Sequence, residues 1–128
     1  MGKEQFKKLT LEQLIAKKEQ AAAEKSKKKT AELYVKSLDA CITIQKPDAK
    51  LMRDIMEMED GNEYLVYQCC IDPCLKSKEL LEAYGVAVPH EIVNEIFEPG
   101  EIGAISLKCA ELAGYGEGSV RLVEDIKN

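Results

Sequence analysis

The 128-residue chain contains no tryptophan, only two phenylalanines and one histidine, and no apolar run near the roughly 20 residues of a membrane span. The sequence therefore predicts no transmembrane helix. Its first residues, "MGKEQFKKLTLEQL", lack the apolar centre of a signal peptide, so we expect a protein that stays in the cytoplasm. An odd number of cysteines, five, argues against a disulfide framework in that compartment.

Charge is abundant and unevenly placed. The composition is 45% hydrophobic and 32% charged, which is typical of one folded domain. Residues 1–30 contain nine lysines and four glutamates, net +5, whereas residues 31–128 carry net −10. We therefore predict a lysine-rich N-terminal helix or arm (1–30), a globular helical body (31–115) and a C-terminal tail or short helix (116–128).

A basic arm on an acidic body suits a nucleic acid or an acidic protein as partner. However, no arginine and no aromatic residue lies among the lysines of "AKKEQAAAEKSKKK", and nucleic-acid readers usually use both. A solvated helix end is the simpler interpretation, and it argues against nucleic acid as a partner. One alternative nevertheless stays open, a small DNA-associated regulatory protein that uses this arm. Strong, salt-dependent binding to duplex DNA would identify it.

Capping residues, prolines and glycines predict about five short helices. Thr10 and Gln13 form a capping-box pattern at the start of the first helix. The other predicted starts have a capping residue or a proline, at Asp48, Ser77, Pro89 and Pro99. Expected ends are at Gly61–Asn62, Gly85 and Gly114.

Strand-forming residues precede the second predicted helix. Residues 33–38 and 41–45 are rich in β-branched and aromatic side chains and predict a small hairpin that lies against the helices. The segment 63–71, "EYLVYQCCI", suits either a buried helix or a strand, and Asp72 before Pro73 marks a boundary. The expected fold is mostly α: about five short helices packed as one domain with a small N-terminal β-hairpin.

The cysteines invite a metal-site interpretation. Cys69, Cys70 and Cys74 are close in sequence, with Cys109 and His90 farther along. A structural zinc site usually takes two close ligand pairs, and adjacent cysteines point to different faces. We therefore interpret the cysteines as small apolar residues, mostly buried, with Cys74 the most exposed. His90, alone after a proline, is expected at the surface.

The sequence offers no catalytic group with an evident partner. It contains no glycine-rich phosphate loop and no Ser-His-Asp pattern. We therefore predict no catalytic residues, no cofactor and no metal. A second alternative stays open, a zinc- or thiol-dependent enzyme that uses Cys69, Cys70, Cys74 and His90. Metal analysis would reveal it.

Four stretches, in this order and spacing, resemble the XkdN-like family of phage tail assembly chaperones from long-tailed phages and prophages of Gram-positive bacteria. They are "LYVKSLDACITIQKP", "DPCLKSKELLEAYGV", "PHEIVNEIFEPGEIGAISLKCAELAGYG" and "VRLVEDIKN". The resemblance extends from about Leu9 to Asn128. The lysine run and the cysteines are not features typical of that family.

This resemblance implies a non-enzymatic role. Similar proteins bind the long, helical tape measure protein and keep it soluble in the host cytoplasm until the tail tube polymerises around it. They are absent from the finished virion. The resemblance also implies two further partners, the major tail protein and a longer, frameshifted form of the same chain. A chain that ends at "EDIKN" would suit the shorter product.

The apolar helices of residues 48–114 are where we expect the tape measure protein to bind, because the resemblance is densest there. The predicted helices 89–97 and 99–113 offer more apolar surface than they need to pair with each other. Surface left uncovered by a partner would be buried by self-association into a homo-oligomer. The predicted partner-binding residues are Ile92, Ile96, Phe97, Ile102 and Ile105.

Overall fold

A computed structural model describes residues 6–116 and 118–124. The chain divides into two compact units, the body (residues 29–116) and a terminal unit (residues 1–28 and 117–128). Residues 1–5 of the predicted arm lie outside the described residues, as do residues 117 and 125–128 of the predicted C-terminal tail or short helix.

The terminal unit contains two short helices, α1 (Leu11–Ala16) and α2 (Lys18–Ser26). The predicted capping box is confirmed, because the Thr10 hydroxyl accepts a bond from the Gln13 N–H and the Gln13 side chain accepts one from the Thr10 N–H. The sequence predicted a single helix here. In the structure the helix is interrupted at Lys17, whose backbone is no longer helical. Neither helix buries a residue.

The body begins with a hairpin of β1 (Thr30–Val35) and β2 (Ala40–Gln45). The predicted hairpin boundaries were wrong. The first strand starts three residues earlier than expected and ends before residues 36–38, which form a 3₁₀ turn. Asp39 then closes the turn with a φ of 46°, and its carboxylate accepts a hydrogen bond of 2.7 Å from the Tyr34 hydroxyl.

Three strands form the sheet, in the order β1-β2-β3, with both pairs antiparallel. The third strand, β3 (Cys70–Asp72), extends the predicted two-stranded hairpin to a sheet. Ile44 of β2 lies opposite Cys70, so residues 26 positions apart in sequence become neighbours. The ambiguous segment 63–71 is thus resolved as both alternatives, a helix followed at once by a short strand.

Five helices complete the body. Their ranges are α3 (Ala49–Met56), α4 (Gly61–Cys69), α5 (Lys78–Tyr84), α6 (Ile92–Ile96) and α7 (Pro99–Leu112). The predicted caps of α3 and α5 are confirmed. The Asp48 carboxylate accepts from the Leu51 N–H at 2.8 Å, and the Ser77 hydroxyl accepts from the Leu80 N–H. Gly85 ends α5 in the left-handed region, at a φ of 64°.

The prediction that Gly61 and Asn62 end a helix was wrong. α3 stops at Met56, and Gly61 instead opens α4. The reason is a close approach between two helices: a Cβ on Gly61 would overlap the backbone carbonyl oxygen of Ile55. The glycine is needed for contact rather than for helix termination.

The core of the body surrounds α4, against which α3, α6, α7 and β3 all pack. The mostly α prediction is confirmed. The expected number of about five helices was too low, since the described residues form seven α-helices and three strands. Among these residues, no helix has both the length and the apolarity needed to cross a bilayer. The buried apolar residues are Val35, Ile42, Ile44, Met52, Leu65, Val66, Cys69, Cys70, Leu75, Ile92, Val93, Phe97, Ile102, Ile105 and Cys109.

Candidate partner-binding surface

The five residues predicted to bind a partner lie mainly inside the body. Four of them are buried in the core, and Ile96 is half-buried against it. Their side chains help to join α6 and α7 to the rest of the body. Contact with a partner stays a prediction for this set. The buried residues are Ile92, Phe97, Ile102 and Ile105.

α7 has a second apolar face that points to solvent. Its inner face carries core residues such as Ile102, Ile105 and Cys109. On the opposite side, four small or apolar residues recur at the i, i+3, i+4, i+7 spacing of a single helix face. We call this surface the outer face of α7, and all four of its residues are exposed: Gly100, Gly103, Ala104 and Leu107.

The outer face of α7 is open and uncharged over two turns. A Cβ added at Gly100 or at Gly103 would meet no atom within 4 Å apart from its chain neighbours and the backbone of its own helix. Leu107 is 56% exposed, although it lies in the longest helix of the body. A helix apolar on both sides is normally covered on both sides. This face is therefore a candidate for a partner contact.

Glu101 fixes the start of α7. Its carboxylate accepts a bond of 3.0 Å from the Glu98 N–H just before the helix. The same carboxylate reaches the turn between β1 and β2, where it accepts from the Ser37 hydroxyl at 2.7 Å and the Ser37 N–H at 3.1 Å. The Glu98 N–H and then the Ser37 donors hold the pKa of the Glu101 carboxyl below its usual value. One side chain therefore ties the helix that bears the outer face to the sheet.

We expect Glu101→Gln to lower the Tm at neutral pH, because an amide replaces the charged acceptor of three hydrogen bonds. The folded-state pKa lies below the unfolded one, so the carboxylate adds stability above the unfolded value, about 4.3. That advantage is lost as the pH falls through the folded-state pKa. Unfolding curves from about pH 7 to about pH 3 should show the two proteins converging.

The control for Glu101→Gln is Glu95→Gln, which changes an exposed glutamate on α6 in the same way. It should leave the Tm nearly unchanged at every pH. A Tm difference between wild type and Glu101→Gln that stayed constant down to pH 3 would contradict the assigned role of the carboxylate.

The inner side of α7 is attached to α4 by polar contacts as well as apolar ones. Ser106 is buried, and its hydroxyl donates a bond of 2.9 Å to the Asn62 side chain. Farther along, Cys109 and Cys69 are hydrogen-bonded through their thiols, and this contact together with burial raises the pKa of Cys109. Paired polar groups in an apolar interface favour one register of the two helices.

The cysteines are distributed through the body. Cys69, Cys70 and Cys109 are buried, and Cys74 is exposed as expected. Cys41, in the hairpin, is exposed too. Burial raises the pKa of the Cys70 thiol to about 11, so it is protonated at neutral pH. Within residues 6–116 and 118–124, no three His, Cys, Asp or Glu residues come together in a group able to hold a metal ion.

His90 is not the surface residue that the sequence predicted. Its side chain is only 17% exposed. Its Nε2 pairs with the carboxylate of Asp60, so the turn before α6 contacts the connection between α3 and α4. The Tyr64 ring meets the imidazole edge to face, with centroids 5.5 Å apart. The hydrogen bond from His90 lowers the pKa of Asp60. Sequence reasoning missed this pair because its members lie 30 positions apart.

The outer face of α7 was also missed, although the sequence contained a signal for it. In "PGEIGAISLKCAEL" the small residues and Leu107 follow the same helical spacing as the core stripe, half a turn away. Glycine and alanine carry too little apolar surface to count as a stripe by themselves. Only the structure, in which the opposite face of α7 is buried, shows that these four residues are exposed together.

Comparison with family models matches residues 2–127 to the phage XkdN-like tail assembly chaperone protein family. Comparisons with curated proteins and with solved structures return no significant match. The matched region includes every helix and strand described above. Because the family model covers nearly the whole chain, the protein belongs to the phage XkdN-like tail assembly chaperones.

Proposed function

We propose that this protein binds the tape measure protein in the host cytoplasm and keeps it soluble while the phage tail is assembled. The family supplies the general role, tail assembly. The observation that carries the finer proposal is the outer face of α7, an exposed apolar helix surface in the described structure.

The outer face suits a helical partner for a geometric reason. Two helices usually pack with their axes 8–10 Å apart, and the separation depends on the side chains at the contact. Gly100, Gly103 and Ala104 have little or no side chain, so a partner helix approaches the backbone of α7 closely. Leu107, one turn on, then fits against the partner as an apolar anchor. The tape measure protein, as the resemblance describes it, presents such helices.

The residues predicted from the sequence have two different roles in this proposal. Ile96 is half-buried and keeps some surface for a partner. The buried residues Ile102 and Ile105 hold α7 in the orientation that turns its outer face to solvent. The contact is mainly apolar, so moderate salt should weaken binding little.

The test is co-expression with the tape measure protein of the same phage or prophage, followed by solubility and pull-down measurements at low and high salt. We expect the tape measure protein to be soluble with this chain and insoluble without it. The variant Leu107→Glu places a charge in the apolar contact and should weaken co-purification at least tenfold, a loss of about 1.4 kcal/mol or more.

A matched control is Tyr84→Glu, which changes a residue of α5 that is 47% exposed, close to the 56% of Leu107. Both variants should keep the wild-type Tm, since neither side chain is in the core. Equal solubility of the tape measure protein without this chain would refute the proposed function. Equal co-purification of wild type and Leu107→Glu would refute the assigned surface.

A further inference from the structure

We propose that the protein self-associates, with the N-terminal arm of one copy docked on the acidic body of a second copy. The arm is defined here as residues 6–28, which contain α1 and α2. The receiving surface on the body is centred on Met56 at the end of α3. This inference does not depend on the tape measure proposal, because it uses different residues.

The arm carries an apolar stripe whose described residues are all exposed. Leu11, Leu14 and Ile15 share one face of α1 and are 73%, 52% and 65% exposed. Leu9 and Phe6, just before the helix, are 59% and 42% exposed. Single exposed leucines are ordinary, but five apolar residues within ten positions form a continuous patch typical of a contact surface.

The short length of the arm helices also indicates that a partner covers them. α1 has six residues and α2 has nine. Helices shorter than about 12–15 residues are barely stable in water by themselves, and most of their stability in proteins comes from packing an apolar face. Neither helix buries a side chain in the single chain. A partner that covers the stripe would supply the missing packing.

Charge identifies the partner. The arm contains seven lysines and three glutamates, net +4, whereas the body, residues 29–116, contains eight basic and sixteen acidic residues, net −8. Unlike charges on two regions of the same protein favour association of its copies. An arm that neutralised part of the body's charge would also reduce its self-repulsion.

The surface around Met56 matches the arm in pattern as well as in charge. Met56 is 80% exposed, and two exposed glutamates, Glu57 and Glu59, follow it within three residues. In the arm, Ile15 is followed by Lys17 and Lys18. On each surface an exposed apolar side chain is followed within three residues by two charges of one sign, positive in the arm and negative on the body.

A second copy satisfies the arm better than an unrelated acidic molecule does, because two copies can contact each other reciprocally. In a two-fold dimer each arm meets the other body, so every favourable contact occurs twice. Duplex DNA would satisfy the lysines, but its phosphates offer nothing to cover Leu11, Leu14 and Ile15. A second copy satisfies both the charges and the stripe.

The experiment measures the mass of the full chain by sedimentation, over a range of protein concentrations, at about 50 mM and about 500 mM NaCl. We expect a dimer at low salt and partial dissociation at high salt, because exposed charge pairs are screened. Two charge-reversed proteins are then compared, an arm variant (Lys17→Glu with Lys18→Glu) and a body variant (Glu57→Lys with Glu59→Lys). Each should weaken dimerisation at least about tenfold.

Mixing the two charge-reversed proteins is the decisive step. The two glutamates introduced after Ile15 in the first then meet the two lysines introduced after Met56 in the second, and the unchanged arm of the second meets the unchanged body of the first. The mixture should dimerise as wild type does. All four positions are exposed, so the Tm of each variant should stay near the wild-type value, which separates lost association from lost folding.

Three outcomes would overturn the proposal. The first is a wild-type mass that stays monomeric at low salt, including the case in which the chain binds duplex DNA instead. The second is a dimer that both charge-reversed variants form as tightly as wild type. The third is a mixture of the two variants that does not dimerise.

Discussion

Gly61→Ala is expected to lower the free energy of unfolding by about 2–3 kcal/mol, the usual cost of forcing extra volume into a packed site. The added Cβ would overlap the carbonyl oxygen of Ile55, and a backbone atom cannot move aside by changing rotamer. α3 and α4 must therefore separate, which loosens the helix around which the core is built. Thermal unfolding should show a Tm lower by about 10 °C.

The matched control is Gly103→Ala, which makes the same change at a glycine inside α7. Nothing lies within 4 Å of a Cβ at this position. Alanine is a better helix former, so this variant should be more stable than wild type by about 0.5–1 kcal/mol. If both variants stabilised the protein, α3 and α4 would not approach each other as closely as described.

Ile105→Ala is expected to cost about 2–4 kcal/mol, because it leaves a cavity beneath α7. Ile105 is 4% exposed and belongs to the core cluster. Leu107, two residues later on the outer face, is 56% exposed. Leu107→Ala should therefore change stability by no more than about 0.5 kcal/mol. Chemical denaturation of both variants measures the difference.

The same two variants separate folding from partner binding. Leu107→Ala should weaken co-purification with the tape measure protein while it keeps the wild-type denaturation midpoint. Ile105→Ala should affect both, because it disturbs the helix that carries the outer face. A large loss of stability in Leu107→Ala, or none in Ile105→Ala, would mean that the two faces of α7 have been assigned the wrong way round.

Local signals in the sequence predicted the parts of the fold that local interactions control. The capping box at Thr10, the caps at Asp48 and Ser77 and the left-handed Gly85 are all confirmed. Each involves a backbone group no more than four residues away, so a short stretch of sequence contains the whole interaction. Gly61 was misinterpreted because its reason for being glycine is a contact with another helix.

Partner-binding residues were harder to predict for a related reason. The apolar stripes of α6 and α7 were recognised, but a stripe does not say whether it faces the core or a partner. Four of the five predicted residues are in the core. The candidate surface on α7 consists mostly of glycine and alanine, whose importance comes from the space beside them rather than from their own apolarity.

The sequence by itself determined the helix caps, the mostly α class, the division of charge and, through its family, the role in tail assembly. Only the tertiary structure decided that residues 70–72 pair with β2, that His90 meets Asp60, and that α7 turns Leu107 outward. The physical reason is the distance along the sequence over which each interaction acts. Caps and propensities act over one helical turn, whereas pairing and burial depend on groups that chain folding brings together from tens of residues apart.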